Sequence, residues 1–407
     1  MLTANQVAVI KQTVPVLQEN GEVLTRHFYE RMFRENPEVL TFFNPAHQKA
    51  GTQQRALAGA ICAYAQHIEN PAALADAVEL IAQKHASLGI QAEHYPVVGE
   101  NLLASIQEVL GEAASPEIID AWAAAYGVLA TIFIDREQQI YQDQKTDFGW
   151  TGFKRFVVKK REAASDNIVS LYLAPEDGQP LQAHQPGQYI TVRLTPQDGE
   201  PVMRNYSLSN RPGADYFRIS VKRELAVVDG APNGVCSNHL HDRIKEGDVL
   251  ELAPPCGEFT LQTRDETQRP LVLMAGGVGI TPLLSMLYAA LEAQPGREVI
   301  FIQCALNSAV RPFAEELVAL QRDYTNLCTH LRLSEPSESD RHQGDYDSEG
   351  FLDAALLDEL LGERHADFYL CGPAPMLKHA WQLLKARGVD EADIHFEFFG
   401  PADDLAA

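Results

Sequence analysis

Three side chains able to handle a proton or a metal fall close together in the stretch "IAQKHASLGIQAEHYP": His85, His94 and Tyr95. Histidine is the commonest transition-metal ligand, and a tyrosine hydroxyl can donate or accept a proton beside it. A lone helical histidine is more often a packed side chain than a ligand, and that reading is kept for His27 and His67 in helical segments, and for His47 in an expected loop. His94 is read as exposed. The six cysteines are Cys62, Cys236, Cys256, Cys304, Cys328 and Cys371. They form no C-x-x-C pair, so neither a zinc site nor an iron–sulfur cluster is expected, and free thiols of a reducing cytoplasm are.

A second chemistry is written in glycine. In "LVLMAGGVGITPLLSML" an apolar strand runs into Gly276, Gly277, Val278 and Gly279, and Ile280-Thr281-Pro282 opens a helix. Glycines let a backbone approach a ligand closely, and a proline in the first helical turn leaves the other N–H groups aimed at an anion. A dinucleotide pyrophosphate fits that geometry. Other segments agree. "RNYSLSN" puts Arg204, Asn205, Tyr206 and Ser207 at the end of a strand, and "PGQYITV" puts Tyr189 on another. "NGVCSNHLHD" sets Gly234, Val235, Cys236 and Ser237 around a helix start, a second place to hold phosphate. "FYLCGPAPM" ends a late strand in Cys371, Gly372 and Pro373, and "FEFFGP" runs from Glu397 through Phe398, Phe399 and Gly400 to Pro401.

The elements that must position these residues follow from periodicity. A chain of 407 residues is too long for one core, so two or three domains are expected. Residues 1–142 read as an all-α domain of six or seven helices. "LTRHFYERMF" sets Leu24, Phe28 and Met32 on one face, and Ser115 and Pro116 open a long final helix. A polar linker is expected over 143–152. Over 153–264 the period becomes two, with about six short strands separated by turn residues, which suggests an antiparallel β-barrel. Over 265–407 strands alternate with helices, as in an α/β parallel sheet. No run reaches the apolar length of a membrane span. The start lacks the pattern of a signal peptide. The formal charge of −23 repels nucleic acid and anionic lipid, so small-molecule partners are expected.

The ordered set in the second half resembles the ferredoxin–NADP reductase family. The resemblance implies that Arg204, Asn205, Tyr206, Ser207 and Tyr189 bind FAD, with Gly234 to Ser237 at its pyrophosphate. It implies that Gly276 to Thr281 and Cys371 to Pro373 bind NAD(P)H. An aromatic near the C-terminus covers the flavin, with Phe399 the candidate and Phe398 the alternative, within the segment Phe398–Pro401. Such a module needs an electron acceptor, and the helical half resembles the globin family. That match runs through Tyr29 on the second helix, Phe43 at the corner before the fifth, Gln53 and Leu57 on the fifth, and His85 near the end of the sixth. Flavohaemoglobins carry these three domains in this order.

This resemblance implies haem b ligated through its iron by His85. Tyr95 and Glu137 would form a relay with that ligand, Glu137 being preferred over Asp135 because the family's glutamate aligns there. It also implies a distal pocket of Tyr29, Phe43, Gln53 and Leu57, and tuning of the haem and flavin potentials by Lys84 and Glu397. The implied activity is nitric oxide dioxygenation, with NO, O2 and NAD(P)H as substrates, in a cytoplasmic monomer. Two alternatives stand beside it. One is an NAD(P)H-dependent haem or flavin reductase acting on peroxides, ferric iron or quinones. The other is a non-enzymatic oxygen-binding or oxygen-sensing globin.

Overall fold

The computed structural model describes residues 2–43, 51–196, 199–226, 233–262 and 269–399. His47, Gly400 and Pro401 lie outside these, as does the expected boundary at 264–265. The chain divides into two compact units, one built principally from residues up to Gly152 and the other from Phe153 onward.

The first unit is helical. Among its described residues are α1 (Ala4–Glu35), α2 (Thr52–Gln66), α3 (Ala75–Leu88), α4 (Tyr95–Leu110) and α5 (Pro116–Asp147), joined by short 3-10 turns. The first, α1, begins at a capping box between Thr3 and Gln6 and continues through Pro15. Its buried stripe of Ile10, Leu17, Leu24, Phe28 and Met32 stays in phase across that proline. Packing of this face outweighs the backbone bond that proline removes. Tyr29 therefore lies on the first helix, not the second. Helix α3 carries His85 near its end, runs to Leu88 and stops at Gly89, which takes the left-handed conformation (φ 80°). Helix α5 starts as expected, with the Ser115 side chain accepting from the Ile118 N–H, but it continues to Asp147. The first five residues of the expected linker, 143–147, are helix.

By length and composition α5 is apolar enough to cross a membrane, contrary to the sequence expectation that no run would be. Ala121, Trp122, Ala125, Ala130, Phe133 and Ile140 of that helix are buried in the cores of the unit.

The second unit holds two sheets. The first joins β1 (Lys154–Ser165), β2 (Ile168–Pro175), β3 (Tyr189–Leu194), β4 (Val202–Ser207), β5 (Phe217–Lys222) and β6 (Val249–Leu252) in the order β4-β3-β6-β1-β2-β5. An isolated antiparallel bridge from Leu208 to Ile219 links the two edges, β4 and β5. Phe156, Leu171, Leu173, Ile190, Val192, Phe217 and Leu252 fill the interior, each at most 1% exposed. One short helix, α6 (Val235–Asp242), follows β5.

The second sheet orders β10 (Ser348–Glu349), β9 (Leu327–Leu333), β8 (Val299–Ala305), β7 (Leu271–Gly276), β11 (Asp367–Cys371) and β12 (Ile394–Glu397), all parallel. Every residue of β7 is buried, as expected for a strand covered on both faces. Leu271, Leu273 and Ala275 pack with α7 (Ile280–Ala293) and α8 (Ala314–Asp323). Val272 and Met274 pack with α10 (Ala354–Leu361) and α11 (Ala374–Ala386), and α9 (Glu338–Gln343) precedes β10. The chain leaves β7 toward β8 on one side and returns to β11 on the other. That reversal creates a crevice at the C-terminal strand ends, where open α/β sheets bind ligands.

Candidate functional site

Helix α3 carries His85, α4 begins with Tyr95, and α5 carries Glu137. The three side chains meet. His85 Nδ1 lies 2.7 Å from Glu137 Oε1 and 3.2 Å from the Tyr95 hydroxyl, and that hydroxyl donates to the same Oε1 at 2.5 Å. The proton positions follow. Tyr95 donates its one proton in a hydrogen bond to Glu137 Oε1, and the tautomer with hydrogen on Nδ1 donates to the same oxygen. That tautomer leaves the imidazole lone pair on Nε2, the nitrogen a metal would take. Burial, then the neighbouring Glu137, pushes the Tyr95 phenol well above its usual pKa, so it stays protonated. Glu137 is 2% exposed, whereas Asp135 is on the surface.

The donor set fits a haem iron: a histidine whose Nδ1 faces a buried carboxyl group, leaving Nε2 for the metal. His94 is not simply exposed. It is half-buried, its Nδ1 accepts from the Gln91 N–H at 2.8 Å, and its ring packs against Phe42.

Tyr29 is 6% exposed and packs edge-on to Phe43 with ring centres 5.7 Å apart. Burial raises its pKa, against a hydrogen bond with Gln53 that lowers it. Leu57 and Phe43 are half-buried against the same core. Lys84 immediately precedes His85 on α3, and its carbonyl accepts from Ser87.

The sequence reading missed a supporting layer. Tyr126 donates to the Tyr95 carbonyl at 2.6 Å, and a Cβ on Gly99 would fall 2.6 Å from the Tyr126 ring. Phe133 lies 5.7 Å from the His85 ring. Positions 126, 130, 133 and 137 share one face of α5, and that spacing was the signal available.

In the second unit, Arg204 and Tyr206 lie at the end of β4 and Gly234 caps α6. Burial lowers the Arg204 pKa and raises those of Tyr206 and Cys236. The Tyr206 hydroxyl donates to Cys236 Sγ at 3.3 Å, and Asn205 Oδ1 accepts from Thr191 at 2.9 Å. Ser207 and Ser237 are buried, and Val235 is exposed. No side chain caps α6. A Cβ on Gly234 would sit 2.7 Å from Ser237 Oγ, so the turn admits only glycine without rearrangement. Tyr189 is buried, and its ring lies where a Cβ on Gly257 would fall. A guanidinium beside an uncapped helix start suits the pyrophosphate of a flavin dinucleotide.

The glycine turn sits at the sheet reversal. Cys371 on β11 pairs with Ala275 on β7, and Glu397 on β12 pairs with Cys371. A Cβ on Gly279 would collide with the Cys371 carbonyl, and one on Gly276 with Met376 and Pro373. One on Gly372 would press on Gly276 at 3.1 Å. Gly277 has φ 54°, and Val278 lies beside it in the 3-10 turn that leads into α7. Ile280 and Thr281 open α7, which has no side-chain cap. The backbone is thus packed to glycine closeness beneath an uncapped helix start, the cradle a nucleotide pyrophosphate requires. Phe399 is 50% exposed, whereas Phe398 is half-buried against the sheet core.

Comparison with known proteins decides the family. Residues 26–133 match the globin family, 155–261 the oxidoreductase FAD-binding domain and 273–382 the oxidoreductase NAD-binding domain. The flavohemoprotein of Rhodopirellula baltica is 50% identical over 408 residues, covering all of both chains. The chain belongs to the flavohaemoprotein family. A flavohemoprotein of Halalkalibacterium halodurans is 46% identical over 98% of this chain and 97% of its own. The crystal structure of a Malassezia yamatoensis flavohemoglobin with bound FAD and haem superposes with a TM-score of 0.84 at 29% identity, covering 98% of this chain and 100% of that one. The FAD/NAD-binding domain of a Vibrio cholerae nitric oxide dioxygenase is 33% identical, with a TM-score of 0.54 over 60% of this chain and 97% of its own. As a flavohaemoprotein the chain is an oxidoreductase whose cofactors are haem, FAD and a nicotinamide dinucleotide.

Proposed function

We propose that this flavohaemoprotein is a nitric oxide dioxygenase, joining NO and O2 into nitrate with electrons from NAD(P)H. The observation that carries the reading is the Tyr95–Glu137–His85 cluster. An oxygen store needs no continuous electron supply and no anionic partner on its iron ligand. A carboxylate accepting from His85 Nδ1 at 2.7 Å gives the imidazole imidazolate character, which favours oxygen activation over reversible binding. When bound, the cofactors would supply the redox chemistry: a flavin that takes hydride and an iron that binds O2.

The chain's own residues do the rest. His85 Nε2 would hold the iron, and Tyr95 would keep Glu137 turned toward Nδ1. Tyr29 remains a phenol because burial disfavours its anion, so it has a proton to share with a distal ligand. Gln53 orients that hydroxyl, and Leu57 and Phe43 restrict the space around it. Arg204 with Gly234 to Ser237 would hold the flavin phosphates, Tyr189 and Tyr206 its ring, and Phe399 its nicotinamide-facing side. Gly276 to Thr281 and Cys371 to Pro373 would hold NAD(P)H. Lys84 and Glu397 are proposed as tuning charges.

The decisive comparison is Tyr29→Phe against wild type, with haem and flavin quantified. NO consumption with nitrate formation should fall at least tenfold while ferricyanide reduction by NAD(P)H is unchanged, since removing one buried donor costs about 10² or more in such sites. Equal loss of both activities would refute the assignment.

A further inference from the structure

Arg218 on β5 is 5% exposed, yet it belongs to none of the cofactor segments described above. Its guanidinium leaves the antiparallel sheet and forks onto Glu316 of α8, with Nη1 to Oε2 and Nη2 to Oε1 both 2.9 Å. Two further bonds turn back to Ser209. Nε donates to Ser209 Oγ at 3.0 Å, and Nη2 also donates to the Ser209 carbonyl. Ser209 lies two residues beyond Ser207, on the continuation of the strand that carries Arg204 and Tyr206. On the far side, Glu316 accepts from the hydroxyl of Tyr288 on α7, the helix that opens at the glycine turn.

An unbroken run of hydrogen bonds therefore joins the proposed flavin strand to the proposed nucleotide helix through Ser209, Arg218, Glu316 and Tyr288. The Arg218 guanidinium also stacks over the Phe313 ring at 4.9 Å. Phe313 is the one non-glycine residue with positive φ (60°) among the described residues, and it starts α8. Burial works against the charge on Arg218, but Glu316 more than restores it, so the ion pair persists.

We propose that Arg218 is a positioning residue for hydride transfer, holding the flavin strand and the nucleotide helix at a fixed distance and angle. A buried ion pair adds little net stability over an apolar pair of the same volume. What a bidentate fork adds is geometry. Hydride transfer depends on geometry steeply, because displacing a reacting atom by about 1 Å costs on the order of a hundredfold in rate. The inference rests on the family's oxidoreductase chemistry alone and not on the fate of NO.

The test is anaerobic stopped-flow reduction of flavin in the full-length holoenzyme by whichever of NADH and NADPH reduces wild type faster. Wild type, Glu316→Gln, Tyr288→Phe and the exchanged pair Arg218→Glu with Glu316→Arg are compared. FAD content, nucleotide Kd and Tm are measured on each. In Glu316→Gln the limiting rate should fall about tenfold or more, with FAD content and nucleotide Kd within twofold of wild type, and the exchanged pair should recover part of the loss. Tyr288→Phe, which removes one hydroxyl and leaves the ion pair, should slow the same step by a smaller factor. It keeps the question open to measurement if Glu316→Gln does not fold. An unchanged limiting rate in the folded variants, or a loss that only tracks lost FAD, would overturn the proposal. Because nitrate is not measured, failure of the NO assignment would not alter this outcome.

Discussion

At the scale of residues, the proposed haem ligand is defined by what sits behind it. Glu137 accepts two protons in hydrogen bonds, from His85 and Tyr95, and is buried with them. Glu137→Gln keeps the shape but replaces the anion with a neutral amide. The haem midpoint potential should rise, and NO turnover should fall about ten- to a hundredfold, the usual cost of altering an outer partner of a metal ligand. Spectroelectrochemistry with an NO electrode checks both, and an unmoved potential would count against the carboxylate's role. His85, Tyr95 and Glu137 were legible in the sequence because the family order places them. The choice between Glu137 and Asp135 was legible only through that alignment. Tyr126 was legible only through the helical spacing it shares with Glu137, and Gly99 was not legible. A tyrosine in an alanine-rich helix and a glycine in its neighbour give no sign that one ring occupies the other's missing side chain. Arg218 and Glu316 were likewise silent, being 98 positions apart in the chain.

At the scale of elements, alternation and apolar runs carried the strand assignments well, because the two sheets differ in how they are covered. The strands β7, β8 and β11 read as apolar runs since both faces are buried. The helical half was read less accurately. Pro15 lies inside α1, whose buried stripe continues on both sides of it, and the polar residues 143–147 continue α5. One buried contact between elements has a pH consequence. His184, in the connection from β2 to β3, meets Ser285 of α7 at 2.9 Å, and burial lowers its pKa from 6.5 to about 4. The folded value lies below the unfolded one, so on acidification the unfolded chain takes up the proton first. Stability from keeping this ring neutral is complete above pH 6.5 and is lost as pH falls toward about 4. Over that window the loss is about 3 kcal/mol. Thermal unfolding of wild type and His184→Gln between pH 7 and pH 4 should show the wild type losing more of its Tm on acidification. Parallel curves would contradict the assignment.

At the scale of the whole molecule, the chain has divided its labour by sequence order: a helical unit first, the antiparallel sheet next, the parallel sheet last. The last of these contains a peculiarity of order. Strand β11, which completes the glycine cradle of the parallel sheet, comes after β7, β8, β9 and β10 in sequence order. During synthesis β7, β8 and β9 emerge well before it, and one edge of β7 stays bare until Asp367–Cys371 follows. A bare apolar edge invites pairing with another chain. Premature termination just before Asp367 should therefore yield aggregate and not a smaller soluble haemoprotein, and chains stopped there should pellet on centrifugation while full-length protein stays in solution. Recovery of soluble, haem-loaded truncated chains would contradict this. The feature that builds the nucleotide site thus also sets a ribosomal timetable: the site and the protection of its own strand edge arrive together, when Asp367–Cys371 follows the earlier strands.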